Sequence, residues 1–346
     1  MILVIGGGIT SAATSAFLAE KLVGKNVQVT VWDKARGAGG RMSTSRSSGN
    51  PDCIADLGAQ YVTVTPEYAV KHKEIHRDLI ESNVMKPLKA RVEGLKSKDG
   101  TVDYVTSAAG MSSIVKHFFK KSGIAVNFSH HINHISITSD NKIQVSTQNG
   151  KNETFDSALM TMPVPQILQL PGMETILDNA LTESLSKVQY SSRYALALFF
   201  DKYEDKVQLS QKINDTGAHY ISDDPIFCYA AIDGLKKELK SPTSVVFHTK
   251  VPWGIKRLET PIPEVEKMLV AHYQKRYPDW PAPISVKCLR WRYSQVSTPF
   301  NGCPGAVILN ESPLLIAAGD GFVHRSGLDA CLESAQKACD ILCAKL

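Results

Sequence analysis

The residues near the front of the chain that could do chemistry are a set of glycines and one acid. Gly6-x-Gly8-x-x-Ser11 follows directly on the apolar run Ile2-Leu3-Val4-Ile5, and Asp33 ends a second run that begins at Val27. In such a pattern the first glycine permits a tight turn and the second lets backbone amides reach a pyrophosphate. The third position serves helix–strand packing, which Ser11 and Ala12 are small enough to serve. An acid at the end of the following strand is placed to accept the hydroxyls of an adenosine ribose. Each part recurs in ordinary turns, and only their occurrence together in this order points to a nucleotide. Just beyond, Arg36-Gly37-Ala38-Gly39-Gly40-Arg41-Met42 joins glycines that permit close approach to guanidinium forks that suit phosphate oxygens.

The elements needed to position these residues are legible around them. Ile2 to Ile5 predicts a parallel strand buried on both faces. Ile9 to Val23 predicts a helix, with Ile9, Ala13, Ala16, Phe17 and Glu20 at helical intervals, and Val27 to Asp33 alternates as the next strand, completing a βαβ unit. Further helices are expected from Gly110 to Lys121 and from Glu264 to Tyr277, the latter charged and on the outside. Strands are expected at Ala125 to Phe128, Ile132 to Ile137 and Asp156 to Met160. Leu314 to Ala318 reads as a buried strand leading to Gly319-Asp320-Gly321. After it, Leu328, Cys331, Leu332, Ala335, Cys339 and Leu342 keep helical period, with Ser326 and Asp329 read as a capping box.

Between these lie the strand-like runs Tyr194 to Phe200, Ala218 to Ile221, Phe227 to Ile232, Ser244 to Val251 and Val286 to Tyr293, expected to pair as an antiparallel sheet. They carry a concentration of aromatics, most of them core. Tyr220, His248 and Trp291 are the candidates for lining a substrate pocket, because alternation places His248 on the face opposite Phe247. The expected division is a discontinuous nucleotide-binding domain of residues 1-65, 106-163 and 300-346, and a substrate domain of residues 66-105 and 164-299.

Composition narrows the classes of function. Of 346 residues, 43% are hydrophobic and 21% charged, a globular balance, and 39 basic against 34 acidic residues give a net charge of +5. That charge is too dilute to argue for nucleic-acid binding. Seven cysteines without a CxxC or paired Cys/His spacing argue against a zinc site and read as reduced thiols. His130, His131 and His134 have no acid or cysteine at ligand spacing, so no metal is expected. GxSxG, HExxH and Walker A patterns are absent. The uncharged stretch from Met1 to Ala19 has no basic n-region, and Gly6-Gly7-Gly8 interrupts it after four apolar residues, so neither a secretory signal nor a membrane span is expected.

The βαβ fingerprint, the acid, Gly39-Gly40-Arg41-Met42 and Asp56-Leu57-Gly58-Ala59-Gln60-Tyr61 together resemble the FAD-binding head of the flavin amine oxidase superfamily. The likeness continues through Thr161-Met162-Pro163-Val164-Pro165, Tyr190 to Leu196 and Gly319-Asp320-Gly321-Phe322. The resemblance implies an α/β fold: a Rossmann-like FAD-binding domain of the glutathione reductase/amine oxidase type, with an inserted antiparallel-sheet substrate domain roofing the flavin. It implies non-covalent FAD, contacted at Thr10, Arg41, Gln60 and Tyr61. With the residues read above, the expected cofactor-binding set is Gly6, Gly8, Ile9, Thr10, Asp33, Lys34, Gly40, Arg41, Gln60, Tyr61, Ile132 and Asp320. Ile132 is placed near the adenine by the resemblance and is equally well explained as a core residue. Asp320 would accept a ribityl hydroxyl, and the helix after it would turn its positive end toward the flavin N1/C2 region. Ser11 departs from the superfamily's usual glycine.

Three activities stay open. The one the resemblance favours is oxidation of the 2- and 6-dihydro isomers of NAD(P)H to NAD(P)+, with O2 reduced to H2O2, so that the partners are dihydronicotinamide dinucleotides and oxygen, with no nucleic acid and no membrane. Loss of hydride from a dihydropyridine creates an aromatic ring and asks for little acid–base help, in keeping with the lack of an obvious general base. The second is amine (catecholamine) oxidation, which related enzymes support with an aromatic residue in the C-terminal flavin motif, where this chain has Ser326-Gly327-Leu328-Asp329. The third is a secreted, non-enzymatic signalling protein. The expected location is cytoplasmic, with secretion without signal-peptide cleavage as the alternative, and no oligomeric state is implied.

Overall fold

The computed structural model describes residues 1–95, 99–202, 209, 216–239 and 242–345. The chain divides into two compact units, one formed by Met1–Gly40, Ile114–Tyr190 and Gln295–Leu346, the other by Arg41–Ser113 and Ser191–Ser294.

The first unit is built on a six-stranded sheet with Ile2–Ile5 near its centre. Val29–Trp32 and then Val126–Asn127 lie to one side, and Ser157–Met160, Leu314–Ala318 and Ala306–Asn310 to the other. All neighbours are parallel except the edge strand Ala306–Asn310. Because the chain moves to opposite sides of Ile2–Ile5 in its successive crossovers, the carboxyl end of that strand is the switch point where open α/β sheets bind ligands. Ile2, Leu3, Val4 and Ile5 are all buried, as a two-sided parallel strand requires. The helix Ile9–Lys21 buries Ala12, Ala13 and Ala16, whose small side chains allow close packing against Leu328–Ala344. A three-stranded antiparallel sheet, Ile132–Ile137, Ile143–Thr147 and Asn152–Phe155, shares a core with the main sheet and with short helices between residues 164 and 186.

The second unit is built on the strands Ser285–Trp291, Arg193–Phe200, Thr243–Thr249, Phe227–Ile232, Ala218–Tyr220 and Val92–Glu93, in that order. One face packs Tyr194, Leu196, Leu198, Phe247 and Val245 against Val265, Leu269 and Tyr273 of the helix Ile262–Arg276. The expected outer helix is therefore present and covers this face. The sheet is not wholly antiparallel as the sequence suggested. Val92–Glu93 adds to Ala218–Tyr220 in parallel, a pairing that a two-residue strand far away in sequence does not announce.

Two further expectations change. Residues 41–65 belong to the second unit, because Cys53, Ala55 and Leu57 pack on Ala195, Ala197 and Val246, whereas residues 164–190 belong to the first, where Val164, Ile167 and Leu185 join its core. The proposed capping box at Ser326 is not formed. The helix begins at Leu328 after an extended Gly327 with no side-chain cap, and the Ser326 hydroxyl donates to Asp320 Oδ2 at 2.6 Å and accepts from Val296 N at 2.9 Å. Among the described residues no helix is long and apolar enough to cross a membrane.

The helix Ile9–Lys21 also buries hydroxyls. Thr14 Oγ1 bonds to the Thr10 carbonyl at 2.8 Å, but Ser11 Oγ and Ser15 Oγ are fully buried without a hydrogen-bond partner. An unpaired buried hydroxyl costs about 1 kcal/mol or more. Ser15→Ala removes that cost with almost no change of volume, and is expected to raise the melting temperature by about 2 °C. A lower melting temperature in calorimetry would contradict the assignment.

Candidate functional site

In the first unit the strand Ile2–Ile5 delivers the chain into Gly6 at φ +121°, where a Cβ would stand 2.3 Å from Thr161 Oγ1. The turn therefore requires glycine on both conformational and steric grounds. Gly8 then starts the helix Ile9–Lys21 with no side-chain cap and no acid in the first turn, and the space its missing Cβ would fill has no atom within 4 Å. An uncapped helix start with an open approach presents unpaired backbone N–H groups and the positive end of the helix dipole, the arrangement that holds a pyrophosphate. Gly39 N donates to Gly7 O at 2.8 Å, and Gly40, at φ +52°, lies close enough that a Cβ would come within 3.2 Å of Gly8 Cα. The second glycine segment thus folds back along the first.

Asp33 ends its strand as expected. Gly7 N donates to Oδ2 and Ala35 N to Oδ1 at 2.6 Å, so two backbone amides aim the carboxylate while leaving it lone pairs for hydroxyl donors. Lys34 beside it is exposed. Ile9 and Thr10 are buried in the first helical turn, and Ile132 packs in the core with Ile135, Ile143 and Val145, as one of its two readings expects. Asp320 is buried and has one oxygen engaged by Ser326. These residues fit an ADP-containing cofactor in the donor types they offer and in the cradle the glycines leave.

In the second unit the segment Asp56 to Tyr61 lies on the face of the large sheet opposite the helix Ile262–Arg276. Residues directly opposite one another across strands share a face, and the register runs Trp291 to Arg193, Ala195 to His248, His248 to Tyr229 and Tyr229 to Tyr220. The three pocket candidates Tyr220, His248 and Trp291 are therefore brought onto one face, together with Tyr229 and Arg193. His248 and Trp291 are not free: His248 Nε2 is 3.0 Å and Trp291 Nε1 2.9 Å from the same acceptor, Leu57 O. A carbonyl only accepts, so the Nε2–H tautomer of His248 is fixed. Burial holds this imidazole neutral, with help from the Arg193 charge, pushing its pKa down to about 3. Tyr220 is 42% exposed, and its hydroxyl bonds to that of Tyr61. The Tyr229 ring lies edge-on to Tyr220 at 5.2 Å and tilted against His248 at 5.5 Å between centroids. Arg41 Nη1 reaches Ser294 O at 3.3 Å, and Arg41 O accepts from Ala59 N at 3.0 Å. Gly58 lies so near that a Cβ on it would be 1.9 Å from Arg41 O and 3.2 Å from Trp291 Cζ2.

Gln60 is turned inward. Its Nε2 donates to Asp56 O and to Gly58 O, and its Oε1 accepts from Lys236 Nζ at 2.8 Å. Lys236 also pairs with Asp233 Oδ1 at 2.7 Å, and Lys237 Nζ lies 2.5 Å from Asp56 Oδ2 and 2.9 Å from Asp233 Oδ2. All four charged side chains are 0–2% exposed. Burial disfavours every one of these charges, yet the two ammoniums outweigh it for Asp233 and hold its carboxyl low, and the two carboxylates hold the Lys237 ammonium. For Lys236 burial wins and its pKa falls. Removing one member of such a set costs about 3 to 5 kcal/mol, because its partner is left charged and desolvated. Sequence reading missed this cluster. Asp233-x-x-Lys236-Lys237 has the spacing of an exposed helical ion pair, and the only hint of burial was the apolar strand Phe227–Ile232 directly before it.

Comparison with known proteins agrees with this geometry. Residues 4–79 match the family described as NAD(P)-binding Rossmann-like domain, and residues 76–343 match Flavin containing amine oxidoreductase. The chain is 37% identical over 346 residues to renalase of Mus musculus, covering 99% of this chain and 98% of that one. In fold it is similar to the crystal structure of a putative protoporphyrinogen oxidase from Exiguobacterium sp. 255-15, with TM-score 0.70 and 14% identity over 100% of this chain and 99% of that one. An oxidoreductase from Methanosarcina mazei superposes with TM-score 0.64 and 12% identity over 98% and 99% of the two chains. The glycine cradle with its amide-aimed acid, and the sheet face that holds the Asp56 to Tyr61 segment, are thus those of an oxidoreductase belonging to the flavin containing amine oxidoreductase family.

Proposed function

We propose that the protein is an FAD-dependent oxidase that converts the 2- and 6-dihydro isomers of NAD(P)H to NAD(P)+ and reduces O2 to H2O2. One dihydronicotinamide, one O2 and one proton give one NAD(P)+ and one H2O2. The observation that carries the reading is the sheet face bearing Trp291, His248, Tyr229 and Tyr220. It is aromatic, and its histidine is a poor base: burial holds His248 neutral with Nε2 committed to Leu57 O, and burial likewise raises the Tyr229 phenol. A dihydropyridine needs no base to lose hydride. It needs a flat apolar face to orient the ring.

Bound FAD would supply the acceptor for the hydride and pass the electrons to O2. In this reading Gly6, Gly8, Ile9, Thr10, Asp33, Lys34, Gly40 and Asp320 hold the cofactor non-covalently, and Arg41, Gln60 and Tyr61 are the flavin contacts that the resemblance implies. The amine-oxidising alternative has less support, since the C-terminal motif offers the buried aliphatic Leu328 where related enzymes use an aromatic ring. Seven cysteines, none in a disulfide and four of them buried, support a cytoplasmic location.

The test is anaerobic mixing of the FAD-loaded protein with 6-dihydro-NAD and, separately, with a catecholamine. Rapid bleaching of the flavin absorbance by the dinucleotide alone is expected, and bleaching by the amine alone would overturn the proposal. The neutral His248 gives a second test. With a folded pKa near 3 against an ordinary value of 6.5, the unfolded chain binds the extra proton first as pH falls. Its contribution to stability is therefore complete above pH 6.5 and is lost on acidification toward pH 3. His248→Gln keeps a donor for Leu57 O but cannot titrate. Between pH 7 and pH 5 wild type is expected to lose about 2 kcal/mol more than the variant in urea unfolding, and parallel losses would show that His248 is not held neutral.

A further inference from the structure

The buried cluster of Asp56, Asp233, Lys236 and Lys237 makes contacts that a purely stabilising set has no need to make. Consecutive lysines grip the two ends of one five-residue segment. Lys237 takes Asp56 at its start and Lys236 takes Gln60 at its end, and Asp233 pairs with both lysines. The start is tied further, since Asp56 Oδ1 accepts from Thr44 Oγ1 at 2.7 Å and from Met111 N at 2.9 Å. The middle is held at Leu57 O by His248 and Trp291. The segment thus has every backbone carbonyl at positions 56, 57 and 58 engaged by a side chain. Its next residue is Tyr61, whose hydroxyl engages the half-exposed Tyr220.

Four desolvated charges are expensive, and an apolar set of similar volume is often as stable or more so. What an apolar set lacks is the ability to fix an amide in one orientation. Gln60 can present its amide either way round, and the Lys236 ammonium, a donor only, selects the rotamer with Oε1 inward and Nε2 on the two carbonyls. We propose that Lys236 is a positioning residue, which, clamped by Asp233, locks the Gln60 amide and so presets the Asp56 to Tyr61 segment for binding the flavin. The proposal rests on the FAD reading above. A preset segment spares the cofactor the ordering of five residues on binding.

The test separates charge balance from locking. Lys236→Met alone leaves a buried carboxylate in excess, whereas the pair Asp233→Asn with Lys236→Met leaves Asp56 and Lys237 as a neutral couple. The double variant is expected to melt, without cofactor, within a few degrees of wild type. Its FAD affinity, read by quenching of flavin fluorescence on titration, should weaken roughly tenfold or more, since a hydrogen bond to a charged group is lost. Gln60→Met, which leaves every charge paired, should weaken FAD equally, and the double variant placed in the Gln60→Met background should add nothing further. Amide exchange across residues 57–61 of the cofactor-free protein should rise in each variant. Wild-type affinity and exchange in the double variant would overturn the proposal, as would additive losses in the combined variant. Should the double variant fail to fold, Gln60→Met with unchanged FAD affinity overturns it as well. Wild-type protein that takes up no FAD would overturn the cofactor reading itself, and shows this before any variant is made.

Discussion

A charge taken out of water must find its counter-charge, and in the second unit this one constraint organises the rest. Asp56, Asp233, Lys236 and Lys237 sit at essentially zero exposure with two charges of each sign. The set is neutral as a whole and intolerant of losing any member. Because Asp56 comes from the strand Ile54–Asp56 and the lysines lie about 180 residues later, the pairing at |i−j| of 181 forces the early strand onto the later sheet. That is why residues 41–65 leave the nucleotide unit to which their place in the sequence assigns them. The same pairing brings Leu57 O under the His248 and Trp291 donors, and the neutrality of His248 follows from the burial so created.

The first unit depends on a backbone constraint. A parallel strand buried on both faces has nowhere to place a polar turn except beyond its carboxyl end, and the next helix must return across the sheet from that point. Gly6 satisfies the turn at a positive φ against Thr161, and the helix then starts uncapped, with its N–H groups unpaired. Unpaired donors at a helix start are a cost to the empty protein and a gain on binding an anion. Asp33 shows the same economy. It is aimed by Gly7 N and Ala35 N, groups that belong to the two turns it must join.

These two constraints differ in how they register in sequence. The strand, turn and helix at residues 2–21 are local, so apolar run, glycine spacing and helical period all point to them, and Asp33 is legible because it ends the next such run. Tyr220 and Trp291 stood out by the concentration of aromatics and His248 by strand alternation, whereas the register that puts all three on one face is set by the pairing of distant strands. What alternation could not reveal is that His248 and Trp291 spend their polar atoms on Leu57 O. Lys236 and Lys237 were illegible for the converse reason. A carboxylate three and four residues before two lysines is what a solvated helix looks like, and only the distant Asp56 and Gln60 make it a core feature. Ser326 misled in a similar way, because a serine three residues before an acid satisfies the capping pattern whether or not its hydroxyl is already bound to Asp320.

The chemistry proposed for the sheet face follows from the same physics that made it neutral. A dihydronicotinamide is uncharged before hydride loss and a pyridinium afterwards, so the reaction creates a positive charge in the ring. Aromatic faces carry negative quadrupole density and attract a cation more strongly than the neutral ring it came from. Tyr220, Tyr229 and Trp291 would therefore stabilise the developing cation more than the substrate, which is the only kind of binding that lowers a barrier. A histidine that protonated on this face would oppose that charge. Burial, aided by the Arg193 charge, keeps His248 from doing so, even though its Nε2–H bond to Leu57 O favours the protonated form.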